Sequence, residues 1–211
     1  KKGFDGIATN TMFMWSQTTS KAYKGLPKTR RYDFRNSDVA ALKAALPDLL
    51  YVSPRNQLGD FNGTNNVVRG TKTSAFTIYG DYPELIKQQP MDIIKGRFVN
   101  QQDIEQRRKV CVIGKGVISE LYGKEEEAVG TYIKINSINF MVVGVYKSKQ
   151  QGGNAEQEQK NIFIPFTTFQ QAFNYGDKVG WMALTAKDET SITDLKPKIL
   201  EIIKVNVLVL A

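Results

Sequence analysis

The stretch RRKVCVIGKGVISELYG, residues 107 to 123, is where this sequence comes nearest to chemistry. It reads as a charged lead-in, a buried strand, the pair Gly114 and Gly116, and an amphipathic helix. Such a passage opens a dinucleotide site, because glycines let the backbone approach the pyrophosphate and the helix start presents N–H groups to it. The full fingerprint asks for a third glycine, which packs helix on strand, and for an acidic residue about 20 positions on to hold the ribose. Ser119 stands at the third position, the helix ends at Gly123, and the glutamate-rich turn KEEEAVG that follows would repel phosphates. No GxxxxGK[ST] occurs, which excludes a P-loop. The expected role of the pair is therefore structural, with Gly114 closing a strand and Gly116 turning the chain into a helix.

Other reactive groups are few. The chain has no histidine, the side chain most used for proton transfer near neutral pH and for transition-metal ligation. Its single cysteine, Cys111, lies between Val110 and Val112 and is expected to be a core thiol, since no histidine can activate it. An enzyme would need a carboxylate pair or a lysine. Asp103 with Glu105, and the cluster Glu125 to Glu127, are more economically read as turn and surface charge. No catalytic group, metal site or cofactor is expected.

Basic residues number 29 against 21 acidic, a net charge of +8 over 211 residues. The excess is concentrated at the start, where residues 1 to 35 hold eight basic residues and two acidic ones, Asp5 and Asp33. Clustering of this kind suits nucleic acid, an anionic membrane surface, an acidic protein partner, or simply solvated charge. No stretch reaches the roughly 18 apolar residues of a membrane span, and KKGFDGIATN lacks the apolar region of a signal peptide. The missing initiator methionine and the apolar ending KVNVLVLA lead us to expect a soluble piece of a longer protein.

The elements that must position these residues follow from periodicity. Met12, Met14 and Trp15 are expected to pack, by strand or by helix. RYDF reads as a strand, and NSDVAALKAALP as a helix capped by Asn36 or Ser37, with Val39, Leu42 and Leu46 on one face and Pro47 as its stop. LLYVSPR, NNVVRG and SAFTIYG read as strands, and residues 82 to 88 as a short helix. MDIIKGRF, KVCVIG, TYIKI and INFMVVGVY continue the β pattern, with Asn136 and Ser137 in a tight hairpin turn. KSKQQGGNAEQEQK, residues 147 to 160, reads as a mobile loop or linker. Beyond it come the strand NIFIP, the helix TTFQQAFN capped by Thr167 or Thr168, the strand GWMALTA, a helix burying Ile192, Leu195, Ile199 and Ile202, and the strand-like VNVLVLA. Two α/β portions flanking a β-rich middle predict an α+β fold in which one domain is inserted into a discontinuous other.

The order of five blocks carries a resemblance. GRFVNQQD, KVCVIGKGVISELYG, GTYIKINSINFMVVGVY and NIFIPFTTF resemble the extracytoplasmic domain of MacB-like ABC transporter permeases, the group that includes LolC, LolE and FtsX-type proteins. The matching residues are Gly96, Arg97, Phe98 and Asp103; Val112, Ile113 and Gly114; Leu121, Tyr122 and Gly123; Gly130, Ile133, Ile135, Phe140, Val142, Val143, Gly144 and Val145; and Ile164 with Pro165. The likeness covers roughly residues 34 to 200, and the first 30 residues resemble Bacteroidetes-type members more weakly. VNVLVLA departs from the family, whose domains run on through a polar segment into a membrane helix.

That resemblance implies a porter-like α/β subdomain made of residues 32–89 and 161–211, an inserted β-rich subdomain of residues 90–160, and a membrane-proximal lead-in of residues 1–31. It implies one membrane helix before the domain and three after it, a second permease copy as dimer partner, and a position in the periplasm on the outer face of the bacterial inner membrane. ATP would be bound by a separate ATPase subunit or domain, with a periplasmic adaptor and an outer-membrane channel as further partners. Nucleic acid is not expected there. The family residues Gly96, Arg97, Asp103, Gly114, Gly123, Gly130, Gly144 and Pro165 would then serve structure and not catalysis. The competing reading is a solute- or lipid-binding module whose pocket is lined by Trp15, Tyr79, Tyr82 and Trp181.

Overall fold

A computed structural model describes residues 9–16, 33–58, 66–123 and 126–203, and the backbone of 207–210. Most of the basic lead-in and Glu125 lie outside the described residues. The chain divides into two compact units: a split unit, Ile7–Arg55 with Gly176–Ala211, and a continuous unit that includes Asn56–Tyr175.

The first part of the split unit holds β1 (Thr11–Ser16), β2 (Phe34–Arg35), α1 (Asn36–Ala45) and β3 (Leu49–Leu58), whose last three residues belong to the continuous unit. Met12 and Met14 are fully buried on one side of β1, so strand spacing decides what the sequence left open. α1 starts one residue after an extended Arg35, and the Asp38 carboxylate accepts the Arg35 N–H at 2.8 Å. The expected caps Asn36 and Ser37 are inside the helix instead. Val39, Leu42 and Leu46 are buried as the spacing requires.

The continuous unit follows with β4 (Val67–Arg69), β5 (Lys72–Ser74), β6 (Thr77–Asp81), α2 (Leu85–Gln88), β7 (Met91–Gly96), α3 (Gln101–Glu105), β8 (Val110–Gly114), α4 (Lys115–Leu121), β9 (Tyr132–Ile135), β10 (Ile138–Ser148), α5 (Gly153–Glu158), β11 (Asn161–Pro165) and α6 (Phe166–Ala172). Its strands run in the order β3-β6-β11-β8-β10-β9-β4-β5, with β7 also paired to β10. β6 with β11 and β8 with β10 are parallel; β11 with β8 and β10 with β9 are antiparallel. Parallel neighbours must be covered on both faces, and β8 is buried at all five positions. The core gathers Cys111, Ile113, Leu121, Ile135, Phe140 and Phe169.

The last part of the split unit adds β12 (Lys178–Val179), β13 (Trp181–Ala186), α7 (Ile192–Ile203) and β14 (Val207–Leu210). The sheet order there is β14-β1-β13-β3, antiparallel throughout, with β12 paired to β2. α7 buries Ile192, Leu195, Ile199 and Ile203; Ile203, not the expected Ile202, completes the stripe.

Three further expectations change. Residues 147 to 160 are not a linker: β10 runs to Ser148 and α5 forms within the segment. α6 begins at Phe166 behind Pro165, so neither Thr167 nor Thr168 caps it. The units meet at 55/56 and 175/176, not at 89/90 and 160/161. The reason is strand pairing, since β11 aligns with β8 and β4 aligns with β9, which draws residues on both sides of 90–160 into the same sheet as the middle of the chain.

Candidate functional site

The glycine turn between β8 and α4 is filled from within. The Gly116 N–H, which a phosphate would otherwise use, donates to the Gln159 carbonyl at 3.0 Å. A Cβ added at Gly114 would sit 2.0 Å from the same oxygen. The glycines therefore admit the chain's own peptide, and α4, seven residues long, is capped by that contact. As a chemical arrangement the turn is a closed backbone junction.

The family residues of the first block converge on one buried carboxylate. Asn100 and Asp103 close the start of α3 reciprocally: Asp103 N–H donates to Asn100 Oδ1 and Asn100 N–H to Asp103 Oδ2, both at 3.0 Å. The Arg97 guanidinium then grips Asp103 with two hydrogen bonds, Nη1 to Oδ2 at 2.6 Å and Nη2 to Oδ1 at 3.2 Å. Arg108 approaches the same carboxylate at 3.6 Å. Asp103 is completely buried while both arginines are partly exposed, so one inner anion holds two outer cations. Arg97 is presented at the end of the antiparallel pairing of β7 with β10, where its N–H donates to Val143 O at 2.9 Å. A Cβ on Gly96 would lie 2.1 Å from Val143 O, and one on Gly144 would lie 2.0 Å from Arg97 O. Gly96 also has φ +65°, which only glycine adopts without strain. Gly96, Arg97, Asp103 and Gly144 thus form one junction.

The other family residues lie elsewhere in the continuous unit. Gly123 N–H donates to Glu126 at 3.1 Å, and Gly130, with φ +89°, donates to Val142 O at 2.8 Å. Pro165 ends β11 and precedes α6. Glu126 forms an ion pair with Arg69, which lies over the Tyr122 ring at 3.9 Å, and Glu127 pairs with Lys95 at 2.6 Å. Burial raises the Glu120 carboxyl, but its hydrogen bonds to Lys160 and Ser74 outweigh that and hold it below the usual range; Glu120 in turn raises Lys160. Asp103 is in the core and Glu105 bonds the Gln101 amide at 3.1 Å, so these two carboxylates do not work as a pair.

Cys111 is fully buried, and burial pushes its thiol far above the ordinary range, which removes it as a nucleophile at neutral pH. Trp15 and Trp181 are cross-strand neighbours in the split unit, where Arg55 lies over the Trp181 ring at 5.3 Å. Tyr79 stacks on Phe163 and Tyr82 leans on Phe166 in the continuous unit. The four aromatics are structural packing in two different units. Among the described residues no cluster of Cys, Asp or Glu is placed to hold a metal, and no helix is long and apolar enough to cross a membrane.

Sequence reasoning missed Asn100, Arg108 and Gln159, and it read the two threonines of α6 only as caps. Thr167 and Thr168 hydroxyls donate to Ile104 O and Arg108 O at 2.6 and 2.8 Å, tying α6 to α3 and the turn after it. Asn100 was within reach, because Asn-x-x-Asp before a short helix is the spacing of reciprocal capping. Gln159 had no local signal.

Comparison with known proteins fits this geometry. The family described as MacB-like periplasmic core domain matches residues 2–202. The macrolide export ATP-binding/permease protein MacB of Bdellovibrio bacteriovorus is 29% identical over 74% of this chain and 24% of its own length. The protein of the same name from Chlorobaculum tepidum is 33% identical over 64% of this chain and 20% of its own. This chain therefore spans about a quarter or less of the length of such relatives. Among solved structures, the periplasmic region of MacB from Actinobacillus actinomycetemcomitans superposes with a TM-score of 0.78 at 19% identity, covering 99% of this chain and 92% of that one. The extracellular domain of the ABC-type transporter YknZ from Gram-positive bacteria gives 0.74 at 14% identity, covering 96% and 100%. With the ordered motif blocks, the Asp103 junction they build and a match along nearly the whole chain, the protein belongs to the MacB-like periplasmic core domain family.

Proposed function

We propose that this chain is the periplasmic part of an inner-membrane ABC transporter permease that binds no nucleotide itself. It couples ATP hydrolysis in a separate module to export, or to mechanical action on a periplasmic partner. The observation that carries this reading is the closed glycine turn: the passage that most resembles a phosphate cradle is occupied by Gln159 O, which favours nucleotide chemistry supplied by a separate module. Relatives named as ATP-binding/permease proteins, several times longer than this chain, support a cytoplasmic ATPase as the outside source. A second permease copy, a periplasmic adaptor and an outer-membrane channel are its proposed partners, and the flanking membrane helices its proposed anchors.

Two measurements test this. In the complete transporter, deleting the domain should leave ATP hydrolysis running while export stops; loss of hydrolysis together with export would refute the coupling role. The 211-residue chain titrated with ATP should show no saturable binding up to millimolar concentration, and micromolar affinity would overturn the reading.

A further inference from the structure

The connection from β10 to β11 carries a short helix that contributes nothing to the core. α5 buries none of its side chains, and it starts at Gly152 and Gly153, around which a Cβ would meet nothing within 4 Å. Its end is pinned at four places. The Glu158 carboxylate accepts from the Ser148 hydroxyl and, at 3.1 Å, from the Gln89 amide. The Tyr146 hydroxyl donates to the Glu158 carbonyl and lies 3.0 Å from the Asn161 carbonyl. Gln159 O accepts the Gly116 N–H, and Lys160 pairs with Glu120 at 2.8 Å.

A six-residue helix has no stability of its own in water. Without apolar burial, what holds it is a handful of hydrogen bonds that water can replace, each worth about 1 kcal/mol net. The sheet beneath has its own ladder and core, with β8 paired on both sides by β10 and β11. Segments of this composition sit at the low end of a protein's local stabilities.

We infer that residues 149–160 are a latch, which opens as a unit while the sheet of the continuous unit stays folded. Closed, it seats the Gln159 carbonyl in the glycine turn; open, it frees the Gly116 N–H and uncovers the Tyr146 hydroxyl. The Gly114–Gly116 turn is then a seat for a moving part, a role the family match does not contain. This inference shares the Gly116–Gln159 contact with the transport reading, but hydrogen exchange and ATP titration let the two fail separately.

Amide hydrogen exchange on the 211-residue chain tests it. The amides of Gly116, Gln159 and Lys160 should exchange at least about a hundredfold faster than those of Val112 and Val145. Replacing Glu158 and Lys160 together by alanine should speed exchange across 153–160 by a further tenfold or so, with Val112 and Val145 unchanged. Trypsin should then cut that variant first at Lys149, the lysine just beyond the end of β10. If the 153–160 amides exchange only at the rate of β8, or if the double variant accelerates β8 and the latch equally, the segment is an integral part of the sheet and the latch does not exist.

Discussion

In the split unit, elements meet through side chains; in the continuous unit, backbones touch each other directly. α7 packs through Ile192, Leu195, Ile199 and Ile203, an ordinary amphipathic stripe that tolerates small adjustments of one helix against its sheet. β7 and β10 pair with Gly96 opposite Gly144, where there is no space for even a methyl group, and the glycine turn meets Gln159 in the same way. The first kind of contact is graded in energy and degenerate in sequence. The second is all or nothing, and it fixes where Arg97 points and so where Asp103 is held.

The sharpest way to break that contrast is Gly144→Ala. Its Cβ would lie 2.0 Å from a backbone oxygen that cannot rotate away, and we expect a loss of about 4 kcal/mol or more in denaturant unfolding followed by circular dichroism. Both tryptophans, Trp15 and Trp181, lie in the split unit, so their fluorescence reports on it separately. Should the fluorescence midpoint fall by the same amount, the two units unfold as one and the contrast has no energetic meaning. Ile199→Ala is the matching change in the split unit. It removes a fully buried side chain and should cost about 3 kcal/mol, read this time by tryptophan fluorescence.

Asp103→Asn probes the junction that the paired strands hold. The amide can keep the Asn100 N–H contact but loses the charge that grips Arg97 and Arg108. A cost of about 2 kcal/mol is expected, falling in high salt because both arginines are partly exposed. A salt-independent cost would mean that the cap and not the charge matters. The smallest effect should have the opposite sign. Arg107 has φ +47° just after α3, a place usually taken by glycine. Arg107→Gly should therefore stabilise by roughly 0.5–1 kcal/mol, and any loss would assign the guanidinium a contact of its own.

The same contrast explains what could be read from the sequence. Side-chain contacts leave a periodic trace, so the faces of α1 and α7 were legible, along with the β-rich middle and the Asn136–Ser137 turn, where both residues have positive φ. The error of one residue in α7 has a helical cause: Ile203 lies eleven residues from Ile192, just over three full turns, whereas Ile202 is rotated well off that face. α5 escaped notice because a helix that buries nothing has no hydrophobic pattern. α3 is only five residues long and is defined by its caps. The unit boundary was misplaced because the pairings of β4 with β9 and of β11 with β8 join residues about 50 to 70 apart in sequence, and no local signal records such a partner. Of the site, Gly96, Arg97, Asp103 and Gly144 were legible as a motif, but their convergence was not, since it depends on which strand pairs with which.

One strand has a consequence in time as well as in space. β10 pairs with β9 through a two-residue turn, with β8 across some twenty-five intervening residues, and with β7 across more than forty. Loop closure costs least for the shortest connection and increases with the logarithm of length, and a hairpin forms within microseconds. The order in which β10 collects its neighbours is then set by distance along the chain: β9 first, β8 next, and β7 with its glycine pair last. Measured transition-state φ-values should be highest at Ile135 and Phe140 and near zero at Ile93; the reverse order would place the nucleus at the glycine pair. On this route the junction that carries Arg97 and Asp103 locks only after β10 has gathered β9 and β8.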